Sequence, residues 1–226
     1  MTSVAGAPTR AVERALDLLA EVCADAPLSL ASCARRARLA PSTALRLLRT
    51  LERAAFVHRD EAGYYHPGPR LIQLGAASLG RQALVTMAEP ALRRIVAATG
   101  ESAYLSIEGP DHTAIYVAMV EGTHTVRHTS WVGRAMPYEG LAVGDALRGA
   151  VTEAGYVAQR DRVEPDVTAI AAPIRRPGGI AGALNLLGPT FRIDARTMHE
   201  YGQIVAREAR GLAAQLGVHR EQEVAG

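Results

Sequence analysis

Arginines crowd one short stretch of this sequence. Seven lie between residues 35 and 59, where Glu52 is the single acid, whereas the rest of the chain carries 18 arginines against 22 acids. A guanidinium group binds phosphate oxygens and can form two parallel hydrogen bonds to the O6 and N7 atoms of guanine. Because solvated helix faces usually mix both signs of charge, the stretch indicates a surface that binds nucleic acid.

Two helices and a hairpin can position these arginines as a winged helix-turn-helix over residues 28–66. The pattern predicts one helix over 32–38, a turn through Leu39 and Ala40, and a second helix that opens at Pro41. Four apolar residues of that helix recur at i, i+3, i+4 and i+7 and should face the core: Ala44, Leu47, Leu48 and Leu51. The outward face then carries Ser42, Thr43, Arg46, Arg49 and Arg53.

Recognition helices present their N-terminal residues to base edges, so Arg46 is the first candidate to read guanine. Ser42 and Thr43 lie beside it, with helix capping as their alternative role. Arg49, Arg35 and Arg36 complete the candidate DNA-binding residues of the two helices, and Arg35 is expected to contact phosphate.

A turn over residues 60–63 separates two extended pieces, which predicts a β-hairpin. As the wing of the motif, this hairpin would place Arg59 and Tyr64 for contact with phosphate or the minor groove. A hairpin with no role in DNA binding is the alternative.

Helices are expected on both sides of this motif. Upstream, apolar residues at helical spacing predict an amphipathic helix capped by Thr9 and closed before Pro27: Val12, Ala15, Leu16, Leu19, Val22 and Cys23. Its polar face mixes both signs of charge, which favours packing or dimerisation over contact with DNA. Downstream, a connector helix should run from Pro69 to near Gly80.

The remainder of the chain predicts an α+β domain. Helices are expected over 87–98, 141–147 and 194–216, and strands over 104–107, 114–120, 125–132, 167–174 and 181–187, the last two as a hairpin. An antiparallel sheet flanked by helices is the α+β class. We therefore divide the chain into a DNA-binding domain over 1–68, a connector over 69–82 and a second domain over 83–226.

Composition and motifs further limit the possible locations and classes of function of the protein. No apolar run approaches the roughly 20 residues of a membrane span, and the first nine residues lack the layout of an export signal, so we expect a cytoplasmic protein. Cys23 and Cys33 are expected to be reduced packing residues. His124 and His128 would lie about 13 Å apart on a strand, too far to share an ion. With no nucleophile elbow, phosphate loop or paired carboxylates, neither an enzyme nor a cofactor is expected.

Taken in order, these residues resemble the IclR family of bacterial transcriptional regulators. The resemblance rests on Val12-Glu13-Arg14-Ala15-Leu16, Leu28-Ser29-Leu30, the run from Ser42 to Glu52, Thr99-Gly100-Glu101-Ser102, Gly144 with Ala146-Leu147, and Ala171-Ala172-Pro173-Ile174. It implies a winged helix-turn-helix joined by a connector helix to a GAF-like effector domain. It also implies a homodimer or homotetramer that binds palindromic operators on double-stranded DNA, more often as a repressor than as an activator.

The chain departs from the family pattern at a few positions. Arg38 stands where the family commonly has a turn-making glycine. In the second domain, Leu141 replaces a small hydroxyl residue, Asp145 replaces a lysine, and Asn185 and Leu187 replace serines. The effector of a relative therefore cannot be transferred to this chain.

The resemblance places a small-molecule effector in a cup formed by one sheet face, a loop and the short helix. Matching positions give the candidate residues Ser106, Trp131, Tyr138, Glu139, Leu141, Ala142, Thr168, Ala169, Asn185 and Leu187. Trp131 could form a wall for an aromatic compound, and a small organic acid is the other expected ligand class. As alternatives, Trp131 belongs to the core or a subunit interface, Asn185 satisfies a strand end and Glu139 is solvated. A second domain that serves only as an oligomerisation scaffold is the alternative function.

Overall fold

In the computed structural model, residues 9–80, 83–128 and 130–224 are described, and the chain divides into two compact units, Met1–Arg81 and Gln82–Gly226. The first unit contains helices α1 (Arg10–Asp25), α2 (Leu30–Arg36), α3 (Pro41–Arg53) and α4 (Pro69–Gly80). Its strands β1 (Val57–Arg59) and β2 (Tyr65–Pro67) form an antiparallel hairpin. The expected connector helix, α4, belongs to this first unit in the contact division.

The second unit is an antiparallel sheet with helices on both faces, which confirms the α+β class. Its helices are α5 (Ala83–Thr99), α6 (Ala142–Leu147) and α7 (Ala195–Val224). Its strands are β3 (Ser102–Gly109), β4 (Thr113–Val120), β5 (Ala135–Pro137), β6 (Val157–Arg160), β7 (Val167–Arg176) and β8 (Gly179–Pro189). The strand order is β5-β4-β3-β8-β7-β6.

Strand alternation gives this sheet two buried faces, because successive side chains point to opposite sides. One face packs on α5 and α7 through large apolar residues that include Leu105, Ile170 and Leu184. The other face packs on α6 and is rich in small residues, among them Ala169, Ala171 and Ala183. We call this second surface the α6 face.

The core of the first unit confirms the helical period of α3. Ala44, Leu47, Leu48 and Leu51 are its four buried residues, and the three leucines pack with Leu18 and Val22 of α1 and with Val57 and Tyr65 of the hairpin. In α1 the predicted apolar face is partly wrong. Val12 and Leu16 are 56% and 59% exposed, Cys23 is exposed, and Leu18 is fully buried instead.

One expected strand of the second unit is absent, and one observed strand was not predicted. Residues 125–132, apart from residue 129, which lies outside the described residues, form bends and coil rather than a strand. The free edge of β4 is instead occupied by β5, and a strand cannot form without a partner edge. Strand β6, which pairs with β7, was not anticipated.

Among the described residues, no helix combines the length and the apolar character needed to cross a bilayer.

An ion pair between a buried carboxylate and a partly exposed guanidinium group links the start of β3 to the turn that follows β8. Glu101 is 1% exposed, and its carboxylate accepts two hydrogen bonds from Arg192, at 2.8 and 3.0 Å. The hydrogen bond with Glu101 raises the pKa of Arg192. Arg192 also donates to the carbonyl oxygen of Val126, so one guanidinium group holds three segments together.

We expect Glu101→Gln to lower the free energy of unfolding by about 3 kcal/mol, because the guanidinium group loses its buried carboxylate. Chemical denaturation of the whole chain measures the change. The control is Glu89→Gln, which breaks the exposed ion pair with Arg93 and should cost less than about 0.5 kcal/mol. Equal losses from the two substitutions would contradict a structural role for the buried pair.

Candidate DNA interface and effector site

One row of polar side chains runs along α3. Ser42, Arg46, Arg49 and Arg53 are all exposed, and their spacing of four, three and four residues places them on one side of the helix. Thr43 is half-buried on the flank of this row. Among the described residues, no acid forms an ion pair with the three arginines, so their charge is available to a partner.

At the N-terminus of α3, the hydroxyl groups of Ser42 and Thr43 are also available to a binding partner. The helix begins at Pro41, and its N-cap residue is Ala40, which makes no side-chain capping bond. Ser42 and Thr43 therefore lie inside the first turn and do not cap the helix.

The turn between α2 and α3 adds a further cation to this surface. Ser29 caps α2 by accepting a hydrogen bond from the Ser32 amide, so α2 begins two residues earlier than expected. At the turn, exposed Arg38 has a φ of +53°, a left-handed conformation that costs a non-glycine residue about 1 kcal/mol. Glycine, the residue that the resemblance implies at this position, adopts this conformation without strain.

Two neighbouring arginines of α2 have different surroundings. Arg36 forms ion pairs with Asp25 and Glu21 of α1, so its charge is already balanced within the unit. Arg35 is exposed and has no such partner among the described residues. Of the two predicted contacts, Arg35 is thus the one whose charge is free for phosphate.

The hairpin forms as predicted, but its tip is not simply cationic. Arg59 folds back on the turn and donates to the Gly63 carbonyl oxygen at 3.1 Å. Asp60 bonds to His66 at 2.8 Å, which lowers the pKa of Asp60. Tyr64 is 44% exposed. The tip therefore combines one exposed aromatic residue with acidic side chains, which gives the alternative without a DNA role some support.

In the second unit, the α6 face brings several of the predicted effector residues together. Asn185 lies directly opposite Tyr104 on one neighbouring strand and Ala171 on the other. Its amide donates to the Ser106 hydroxyl at 2.9 Å. The buried residues Ala169, Leu187, Leu141 and Ala142 line the same face.

Trp131 and Tyr138 are buried in this region, at 3% and 4% exposure. The Trp131 ring packs edge-on against Tyr116 and His128, with centroid distances of 5.7 and 4.3 Å. Gly144 lets α6 approach closely, because a Cβ there would lie 2.2 Å from the Tyr138 carbonyl oxygen. These contacts are those of packed core residues, as the alternative for Trp131 anticipated.

Two predicted effector residues are not brought to this face. Thr168 precedes Ala169 in β7, so its side chain points to the opposite side of the sheet, where it bonds to the Thr190 hydroxyl at 3.0 Å. Glu139 is exposed, as its solvated alternative anticipated.

Polar residues that the sequence analysis missed also lie on the α6 face. Tyr104 bonds to His128 through its hydroxyl at 2.7 Å, and burial raises the pKa values of Tyr104 and Tyr116. Tyr104 lies two residues before Ser106 in the predicted strand, so alternation could have identified it. Gln159 lies in β6, a strand of four residues that carried no clear signal.

Comparisons with known proteins bear on both units. The family model of the IclR helix-turn-helix domain matches residues 11–61, and that of the bacterial transcriptional regulator IclR C-terminal domain matches residues 76–154. The HTH-type transcriptional regulator BhcR of Paracoccus denitrificans is 30% identical over 240 residues, covering 90% of this chain and 86% of that protein. The transcriptional repressor IclR of Escherichia coli is 27% identical over 155 residues, covering 67% of this chain and 57% of that protein.

A solved structure agrees with this fold. An IclR homologue from Microbacterium hydrocarbonoxydans, complexed with 4-hydroxybenzoate, superposes with a TM-score of 0.77 at 22% identity. The match covers 91% of this chain and 98% of that one. At this level of identity the likeness shows the fold alone.

The Tyr138 hydroxyl is buried without a hydrogen-bond partner among the described residues, and burial raises the pKa of this side chain. We therefore expect Tyr138→Phe to increase the free energy of unfolding by about 1 kcal/mol, since it removes an unsatisfied polar group. The control is Tyr201→Phe, which loses a bond to the Thr99 carbonyl oxygen and should cost about 1 kcal/mol. Thermal or chemical denaturation that gave both variants the same sign would contradict the assignment.

Proposed function

Since the chain belongs to the IclR family of bacterial transcriptional regulators, we propose that it is a repressor that binds a palindromic operator as a homo-oligomer. In this proposal Arg46 reads guanine in the major groove, Ser42, Thr43 and Arg49 support it, and Arg35 holds phosphate. A small-molecule effector bound in the second unit alters operator binding.

The observation that carries the DNA assignment is the row of exposed arginines on α3, without acidic partners among the described residues. Arg46 is one turn from the helix N-terminus, the position from which recognition helices reach base edges. The name of the Escherichia coli relative, a repressor, favours repression over activation. The relative bound to 4-hydroxybenzoate supports a small organic effector.

Arg46→Ala should remove most of the discrimination between operator and random duplex, about 10- to 100-fold, because base readout is lost. Arg35→Ala should weaken binding to both duplexes alike and reduce the slope of log K against log salt by about 1. Fluorescence anisotropy on an operator selected from a random pool, over a range of salt concentrations, measures both effects.

Arg36→Ala is the matched control, because this arginine is balanced by Asp25 and Glu21. It should leave the salt slope unchanged. The same loss of discrimination from Arg46→Ala and Arg35→Ala would refute the division between base and phosphate contacts.

Oligomerisation is proposed to use the exposed apolar stripe of α1. Val12, Leu16 and Cys23 lie on one side of this helix and are exposed, and a two-fold dimer would present two α3 helices to successive half-sites. The mixed charges on the opposite face of α1 disfavour DNA as the partner of this helix.

We expect Leu16→Glu to shift the chain from dimer to monomer and to weaken operator binding at least tenfold, because a charge is placed in an apolar interface. Analytical ultracentrifugation checks the mass. Ala24→Glu, on an exposed position of α1 outside the stripe, should leave the mass unchanged. A dimer that persists in Leu16→Glu would exclude the stripe as the interface.

A further inference from the structure

Three buried polar atoms on or beside the α6 face have no hydrogen-bond partner among the described residues: Asn185 Oδ1, Gln159 Oε1 and the Tyr138 hydroxyl. Asn185 and Tyr138 are only 2% and 4% exposed. Buried polar groups are normally paired because leaving them unpaired costs stability. Atoms of this kind therefore point to a missing partner.

The orientation of the Asn185 amide is fixed by its surroundings. Nδ2 donates to the Ser106 hydroxyl oxygen at 2.9 Å and to the Ala183 carbonyl oxygen at 3.2 Å. A carbonyl oxygen can only accept a hydrogen bond, so reversing the amide would set two oxygens against each other. The unpaired atom is therefore Oδ1, an acceptor.

The same reasoning applies to Gln159. Its Nε2 donates to the Asp145 carboxylate at 3.0 Å, and an ionised carboxylate only accepts. The unpaired atom is again the amide oxygen. Both unpaired carbonyl oxygens thus require a donor.

The two acceptors share one surface. Gln159 lies opposite Ala169, and Asn185 lies opposite Ala171, so β7 separates them, and two strand spacings across the sheet with two residues along it put their Cα atoms roughly 12 Å apart. The β7 residues between them, Ala169 and Ala171, are alanines, whose small side chains extend little from the sheet. The Ser106 hydroxyl, which accepts from Asn185, retains its own proton for a ligand acceptor.

A carboxylate ligand fits these groups poorly. Its oxygens would face two unpaired carbonyl oxygens, and although the Ser106 and Tyr138 hydroxyls can donate to it, burying its charge requires a cation. Arg148 and Arg134 lie over the Tyr138 and Trp131 rings, but both are exposed, and Arg148 is paired with Asp145. His128 already bonds to Tyr104 through Nδ1.

We propose that the effector is a small uncharged molecule with two or more N–H or O–H donors, such as a primary amide or a polyol, and that Asn185 Oδ1, Gln159 Oε1 or, for a ligand long enough to span them, both accept its hydrogen bonds. The inference rests on the proposed effector function and names its ligand class. It replaces the organic acid expected from the sequence.

The experiment measures thermal unfolding of the full chain with matched compounds: benzamide and benzoate, propionamide and propionate, and the polyols erythritol and ribitol. At least one amide or polyol should raise the midpoint by mass action, whereas the matched acids should not. Asn185→Leu keeps the side-chain size but removes the acceptor, and it should weaken the apparent Kd of that compound about tenfold or more. Gln159→Leu, on edge strand β6, provides the same test if Asn185→Leu does not fold.

Each alternative result of this experiment overturns a different part of the proposal. Stabilisation by an acid but not by its amide would overturn the neutral ligand class and leave the effector proposal standing. An amide or polyol that binds both leucine variants as tightly as the parent chain would place the ligand elsewhere. If no compound shifts the midpoint, and none alters operator binding, both the ligand class and the effector proposal fail in favour of a scaffold.

Discussion

The DNA-binding account depends on one constraint, the division of α3 into an apolar side and a cationic side. Burial of Leu47, Leu48 and Leu51 against α1 and the hairpin fixes the rotation of the helix. Arg46, Arg49 and Arg53 then face outward together. Like charges along one row repel each other, and since no acid in the described part of the chain pairs with them, the row is most stable against a polyanion.

In the second unit, too, the question is whether each polar group has a partner, here among its buried side chains. Some of its buried polar side chains have their partners within the fold, as in the pair between Glu101 and Arg192. On the α6 face, the amide nitrogens of Asn185 and Gln159 donate within the fold, but their amide oxygens have no partner among the described residues. The proposed ligand class rests on this difference in hydrogen bonding and not on cavity shape.

The sequence predicted best what local periodicity determines. The period of α3 identified its buried residues, and the turn residues located both hairpins. Prediction from the sequence failed where contacts with other elements determine the secondary structure. Residues 125–132 alternate like a strand, but β5 occupies the sheet edge with which they would have to pair. Spacing in α1 found an apolar side but could not show that Leu18 would be buried and Leu16 exposed. Thr168 was assigned by resemblance alone, whereas alternation with Ala169 would have excluded it from the α6 face.

Methylation interference at guanine N7 tests most directly whether α3 enters the major groove of a two-fold site. On an operator selected from a random pool, the account predicts that methylated guanines block binding in two half-sites whose centres are about 10 base pairs apart, or a multiple of that distance. Binding that is insensitive to guanine N7 methylation, or sensitive only to modification in the minor groove, would contradict it.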